Sequence, residues 1–394
     1  MKKTIVDYSL NGKKVIIRCD LNVPMENGVI TDETRIIASL ETIKFASDAG
    51  ARVIIMSHLG RVKTEEDKLT NSLEPVANRM SELLKKEIKF IPDTRGMELE
   101  IAINALESGE ILMMENTRFE DLDGEKESKC DEGLSKYWAS LGDIFINDAF
   151  GTAHRKHASN VGIASNIPNG IGFLIKKELD TLGEAISNPK RPLVIILGGK
   201  KVSDKIGVIE HAVKIADYIL IGGGMSYTFL KALGYNVGLS VVDDSNLEFC
   251  KEIYEKNKDK IILPTDVVVG TSFTNETNAR LVDIKNITDN DMGLDIGIST
   301  INNFKKILSD AKTVIWNGPV GVFELEKFST GTRKMCEILA NINGDVIIGG
   351  GDSAAAVSKF GFQDKFYHIS TGGGASLEML EGKELPGIAV IWEK

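Results

Sequence analysis

The residue types that could do chemistry in this chain gather after short apolar runs. Five glycine-rich turns follow such runs: Gly198-Gly199-Lys200-Lys201 after Leu197, Gly222-Gly223-Gly224 after Ile221, Asn317-Gly318-Pro319 after Trp316, Gly349-Gly350-Gly351-Asp352-Ser353 after Ile348, and Gly372-Gly373-Gly374 after Tyr367–Thr371. Glycine lets backbone approach a ligand closely, and a helix that follows aims its free N–H groups at phosphate. Glycine serves tight turns equally well, so one pair says little; recurrence along one edge favours a polyphosphate ligand. In the first half, cations and amides take the glycines' place. Val15–Ile17 leads into Arg18, Asp20 and Asn22. Val53–Met56 leads into Ser57, His58 and Arg61. Ile111–Met114 leads into Glu115, Asn116 and Arg118, and Ile144–Ile146 into Asn147, Asp148, His154, Arg155 and His157. Arg35 lies a little beyond the first loop. One arginine alone reads as a solvated ion-pair partner, whereas a rim fed by four strands suits carboxylate or phosphate oxygens. His154 and His157 have HxxH spacing but no third metal ligand nearby.

The elements that would carry these residues are legible as pattern. The runs named above, with Val267–Val269 and Ile388–Ile391, lack polar alternation and read as strands buried on both faces of parallel sheets. Helical spacing lies between them, as at Leu73, Val76, Ala77, Met80, Leu83 and Leu84. Strand alternating with helix predicts a doubly wound α/β architecture. Leu179, Leu182 and Ile186 place a helix over 173–187, stopped at Asn188-Pro189, with a second α/β domain beyond Pro192. Ile388–Ile391 is expected to be a last strand, in either domain.

Composition sets the bounds. In 394 residues, 42% are hydrophobic and 26% charged, and the net charge is −10. An acidic balance argues against a general nucleic-acid binder, so an anionic ligand must be held by local cations. No apolar run approaches the roughly 18–20 residues that span a bilayer. Cys19, Cys130, Cys250 and Cys336 have no CxxC spacing, and the polar N-terminus is not a signal peptide, so the expected compartment is the cytoplasm. The sequons at Asn275 and Asn286 read as chance matches.

The nucleotide class is narrowed by what the glycine loops contain. No GxxxxGK[ST] occurs. Gly349, Gly351 and Ala354 match GxGxxA, which admits a dinucleotide, but the next strand ends in Ser370-Thr371-Gly372 where an acidic ribose partner is expected. Asp352 places a carboxylate beside the expected phosphates and would repel them unless a divalent cation intervenes. Mg²⁺ with a nucleoside polyphosphate is therefore preferred. An anion pocket in one domain and a nucleotide pocket in the other point to phosphotransfer or another nucleotide-dependent reaction. An NAD(P)-dependent oxidoreductase and a two-lobed solute-binding protein are the rivals.

Longer motifs then carry a resemblance. Arg18–Pro24, Ser57–Arg61, Glu115–Phe119, Asp148–Arg155, Lys201–Lys205, Trp316–Glu324, the glycine loop through Ser353 and Thr371–Glu378 resemble phosphoglycerate kinase, in family order over nearly the whole chain. The resemblance implies two Rossmann-like three-layer domains with parallel sheets, joined by an interdomain helix with a cleft between: 1–172, a hinge helix 173–187, a nucleotide-binding domain 188–376, and a segment 377–394 returning toward the first domain. It implies reversible transfer of the acyl phosphate of 1,3-bisphosphoglycerate to ADP, giving 3-phosphoglycerate and ATP, in a cytoplasmic monomer with small-molecule partners only. By motif, phosphoglycerate is held by Asp20, Asn22, Arg35, His58, Leu59, Gly60, Arg61, Arg118 and Arg155. The nucleotide is held by Lys201, Lys205, Gly293, Asn317, Glu324, Gly350, Gly351, Asp352 and Ser353, with Asp352 on Mg²⁺. Arg35, Lys205, Gly373 and Gly374 are assigned to the moving phosphoryl. The chain departs from the family pattern at Lys200, at Val62 and at Thr288–Asp291 before Met292. Domain closure about the 173–187 helix is expected to bring the reactants together and exclude water.

Overall fold

The computed structural model describes residues 1–394. The chain divides into two compact units, Met1–Asp180 with Glu384–Lys394, and Thr181–Lys383.

In the first unit the strands are β1 (Lys14–Cys19), β2 (Met25–Glu26), β3 (Val29–Ile30), β4 (Arg52–Met56), β5 (Ile88–Ile91), β6 (Ile111–Met114), β7 (Ile144–Asp148) and β8 (Asn169–Ile171). β2 and β3 form a small hairpin, and the other six make one sheet in the order β5-β6-β4-β1-β7-β8. Every pairing in that sheet is parallel, with Ile17 opposite Ile55 and Ile146. Parallel pairing needs helical crossovers that cover both faces, which is why β1, β4, β6 and β7 carry almost no polar alternation. Val15, Ile17, Val53, Ile55 and Met113 bury one face against Ile43 and Met80 of the flanking helices. The helix Glu74–Leu84 buries Val76, Ala77 and Met80, as its spacing requires. The carboxyl ends of β6, β4, β1 and β7 lie side by side on one edge. The winding direction reverses between β1 and β7, the place where open α/β sheets bind ligands.

The second unit contains β9 (Leu193–Leu197), β10 (Tyr218–Ile221), β11 (Ile261–Ile262), β12 (Asp266–Gly270), β13 (Arg280–Asp283), β14 (Met292–Ile296), β15 (Thr313–Asn317), β16 (Asp345–Gly349) and β17 (His368–Ile369). Its parallel sheet runs β11-β10-β9-β15-β16-β17, with the reversal between β9 and β15. A separate antiparallel sheet runs β13-β12-β14. The fold class is thus mixed α/β with two doubly wound parallel sheets.

Two strand readings need correction. Val267–Val269 is a strand, but it is the centre of the antiparallel sheet, where flanking strands mask its alternation. Ile388–Ile391 is not a strand. Pro386 opens a one-turn helix, Pro386–Ala389, where its missing N–H costs nothing. That turn is buried because Gly387 N–H donates to the Ala153 carbonyl and its own carbonyl accepts from Asn147 Nδ2, both at 2.8 Å. Residues 173–187 form consecutive helical turns, Phe173–Glu178, Leu179–Gly183 and Glu184–Ser187. No helix is long and apolar enough to cross a membrane.

Candidate active site

The cationic half-site sits on the carboxyl edge of the first sheet, and buried amides hold its loops. After β1, the Leu21 amide donates to Ser57 Oγ at 2.9 Å, and Asn22 Oδ1 accepts the Gly60 amide at 2.8 Å. Asn116, after β6, accepts from the Leu59 amide at 3.2 Å and the Arg118 amide at 3.0 Å. Three loops are therefore one rigid body. On it, Arg35 from the helix Thr34–Asp48 donates to Asp20 Oδ1 at 2.8 Å and keeps part of its guanidinium exposed. Arg61 and Arg155 are exposed, Leu59 is buried, and Gly60 is half-buried. Arg118 is buried and lies 3.7 Å from Asp121. Burial pulls the Arg118 pKa down, and so do the charges of Arg155 and Arg61. Cations close enough to repel one another bind an anion with relief of that repulsion.

Not every cation after these strands reaches the rim. Arg18 is fully buried and His157 nearly so, which corrects their placement among rim groups. Arg18 lies within β1, and His157 precedes the buried turn Ala158–Gly162. Burial, then Arg18, Arg118 and Arg155, push the His157 pKa down to about 3.

The glycine half-site lies on the carboxyl edge of the second sheet, at the β9/β15 reversal. It is two cavities that share Gly199, Lys200 and Asp352. The smaller one, about 320 Å³, is lined by Lys201, Lys205, Asn317, Gly350, Gly351, Ser353, Gly373 and Gly374 among others. Gly350 adopts φ +88°, a turn that side chains resist, and so opens the helix Gly351–Lys359 into the cavity. Ser353 Oγ accepts the Gly318 amide at 2.6 Å and ties that helix to the β15 loop. Lys205 is buried, and its ammonium donates to Asn317 Oδ1. Burial lowers its pKa to about 8, against the opposing pull of Asp204 and Asp352.

The larger cavity, about 470 Å³, is mainly apolar, with Tyr227, Val241, Phe273, Leu294, Pro319 and Val322 in its wall and Gly293 and Glu324 beside them. Gly293 is glycine because a Cβ there would stand 2.0 Å from the buried Tyr227 ring. Its amide donates to Ser240 Oγ at 2.9 Å. Asp295, also in the wall, is buried, and burial pushes its pKa up to about 8 despite amide bonds from Gly331 and Ile296. Sequence reasoning placed Gly293 and Glu324 but missed the apolar lining. Those side chains differ in no chemical respect from core residues.

A doubly wound unit with an arginine rim and a second with a glycine-lined, lysine-bearing cavity beside an apolar one suit a two-domain kinase of a small anionic substrate. Residues 5–383 match the family profile described as phosphoglycerate kinase. The chain is 60% identical over 398 residues to the phosphoglycerate kinase of Fusobacterium nucleatum and 58% identical over 395 residues to that of Enterococcus faecalis, with all of each chain covered. Among solved structures it resembles phosphoglycerate kinase from Coxiella burnetii (TM-score 0.90, 39% identity, 99% of this chain and 98% of the other). It also resembles the enzyme from Pyrococcus horikoshii OT3 (TM-score 0.84, 32% identity, the same coverage). The chain belongs to the phosphoglycerate kinase family, and its reaction is the glycolytic transfer of phosphate between 1,3-bisphosphoglycerate and ADP.

Proposed function

We propose that the arginine rim holds the phosphoglycerate, that the split cavity holds ADP or ATP, and that the phosphoryl group passes directly between them. In the ATP-forming direction a β-phosphate oxygen of ADP attacks an acyl phosphate; in reverse a carboxylate attacks ATP. Both nucleophiles are ionised at neutral pH, so the reaction needs no general base. Positioning and charge stabilisation remain. Asp20, Asn22, His58, Arg61, Arg118, Arg155 and the Leu59-Gly60 backbone orient the sugar acid. The apolar cavity, with Gly293 and Glu324, takes the base and ribose. Lys201, Asn317 and the Gly350–Ser353 turn take the phosphates. Arg35, Lys205 and the amides at Gly373 and Gly374 serve the oxygens of the moving phosphoryl. Reactants must approach to about 3 Å with water excluded, so the reading includes closure of the two domains on the ternary complex, with 173–187 as the hinge.

Asp352 is the residue that would hold Mg²⁺. No three His, Cys, Asp or Glu side chains are grouped to cage a metal, and a carboxylate in the wall of a phosphate-sized cavity suits an ion completed by phosphate oxygens and water. When bound, Mg²⁺ supplies charge neutralisation at the phosphates. The observation that carries the reading is the position of Asp352 in both cavity walls, beside the Lys205 turn. Calorimetry tests it. MgADP should bind the enzyme well above metal-free ADP, and Asp352→Asn should erase that difference; an undiminished difference refutes the assignment. A single chain carries both half-sites, so we propose that the enzyme acts as a monomer, checked by sedimentation as one 43.0 kDa species.

A further inference from the structure

Behind the arginine rim, three buried polar side chains that this reading leaves without a role lead to His58. Glu127 is fully buried. Its Oε2 accepts the Ser159 amide at 2.9 Å and its Oε1 the Ser159 hydroxyl at 2.5 Å. Ser159 Oγ also accepts Nε–H of Arg18 at 2.9 Å. Arg18 then spends Nη1 on the Cys19 carbonyl and turns Nη2 to Nδ1 of His58 at 3.2 Å. The four side chains come from separate parts of the sequence, the end of β1, the turn after β4, the segment before Asp131, and the turn that follows His157.

A guanidinium carries donors and no acceptor. The imidazole nitrogen facing Arg18 must therefore be the acceptor, and the ring proton must sit on Nε2. The ring is neutral, because burial and then the charges of Arg18, Arg118, His157 and Arg35 hold its pKa well below 6.5. A neutral histidine in the opposite tautomer would turn a lone pair toward an anion and repel it. The Nε2–H tautomer turns a donor.

We propose that Arg18, anchored to Glu127 through Ser159, is a positioning residue that locks His58 as a neutral Nε2–H donor to an anionic oxygen of the phosphoglycerate. The proposal rests on the reading of the rim as the phosphoglycerate site. Two-bond ¹H–¹⁵N correlation spectra of the ¹⁵N-histidine-labelled enzyme test it, with His58 assigned by its loss in His58→Gln. In the free enzyme, His58 should show a protonated Nε2 and a bare Nδ1 from about pH 5.5 to 8, and its signals should move when 3-phosphoglycerate is added. Ser159→Ala removes one hydroxyl and keeps the backbone. It should mix the tautomers and raise KM for 3-phosphoglycerate about 10-fold or more, the scale of a lost hydrogen bond to a charged group, while KM for MgATP stays put. A merely structural serine would not move the tautomer. A protonated Nδ1, or a ring that titrates near 6.5 in the free enzyme, overturns the proposal. A single tautomer and an unchanged KM in Ser159→Ala overturn the anchoring. Correct tautomer with signals unmoved by saturating 3-phosphoglycerate overturns the substrate reading of the rim, and the proposal with it.

Discussion

Lys205→Met is expected to make the second unit, Thr181–Lys383, more stable while disabling the enzyme. The ammonium is buried, and its pKa falls from 10.5 to about 8, chiefly through lost hydration. Keeping it charged at pH 7 therefore costs about 3 kcal/mol of folding free energy. Methionine fills similar space without charge. It leaves Asn317 Oδ1 without the lysine donor, which costs about 1–2 kcal/mol. The net gain at neutral pH is about 1–2 kcal/mol, and each kcal/mol is worth about 2–4 °C in a unit of this size. The pH dependence identifies the cause. Between about pH 8 and 10.5 the unfolded chain holds a proton on this lysine that the folded chain has released, so wild-type stability rises with pH across that window. The variant lacks this gain, and its advantage shrinks from pH 7 to pH 10. Scanning calorimetry at the two pH values reads the difference, and a coupled assay reads turnover, which should fall about 10²–10³-fold or more. A variant equally destabilised at both pH values would refute the electrostatic account. One that keeps over half its turnover would remove Lys205 from the moving phosphate.

Arg35→Ala should lower kcat by about 10²–10³-fold with the unfolding transition preserved; retention of over half the turnover would show the assignment wrong. Gly293→Ala would put a methyl carbon 2.0 Å from the Tyr227 ring. It should cost about 1–3 kcal/mol of stability and raise KM for ADP more than KM for 3-phosphoglycerate; wild-type values for both would refute the packing argument. Asp148 is buried and accepts the Leu174 and Ile175 amides at 2.9 and 3.3 Å, which opens the helix from Phe173. Burial pushes its pKa up from 3.8 to about 7. The stability it contributes is thus full below about pH 4 and lost as pH rises through 7. Asp148→Asn keeps an acceptor without titrating, so its melting temperature should gain on wild type between pH 4 and pH 7; a constant gap would refute the assignment.

Most of the parallel framework was legible because burial on both faces leaves no room for polar residues. β1, β4, β6 and β7, and likewise β9, β10, β15 and β16, announce themselves as apolar runs. The strands that escaped are edges or short: β2, β3, β5, β8, β11 and β13. β14 escaped for a packing reason. Gly293 and Asp295 interrupt its apolar run, one to admit the Tyr227 ring and one to cap the turn at Gly331. Ile388–Ile391 misled because it is as apolar as a strand, and only Pro386 signals that the segment packs as a helical turn.

The same contrast explains which parts of the site could be read. Phosphate demands donors, and few residue types at strand ends supply them: glycine amides, Lys205, Arg35 and Arg118. A nucleobase demands apolar area, which any core residue supplies, so Tyr227, Val241 and Phe273, proposed above to face the base, carry no mark in the sequence. Arg18 shows where residue type stops being informative. It is an arginine near the carboxyl end of a strand, much as Arg118 is an arginine in the turn after β6, yet its guanidinium is fully buried and bonded to Ser159 and His58. A cation that touches the ligand and a cation that aims another residue at it look alike in sequence. Burial and bonding partners separate the two, and those come only from the folded chain.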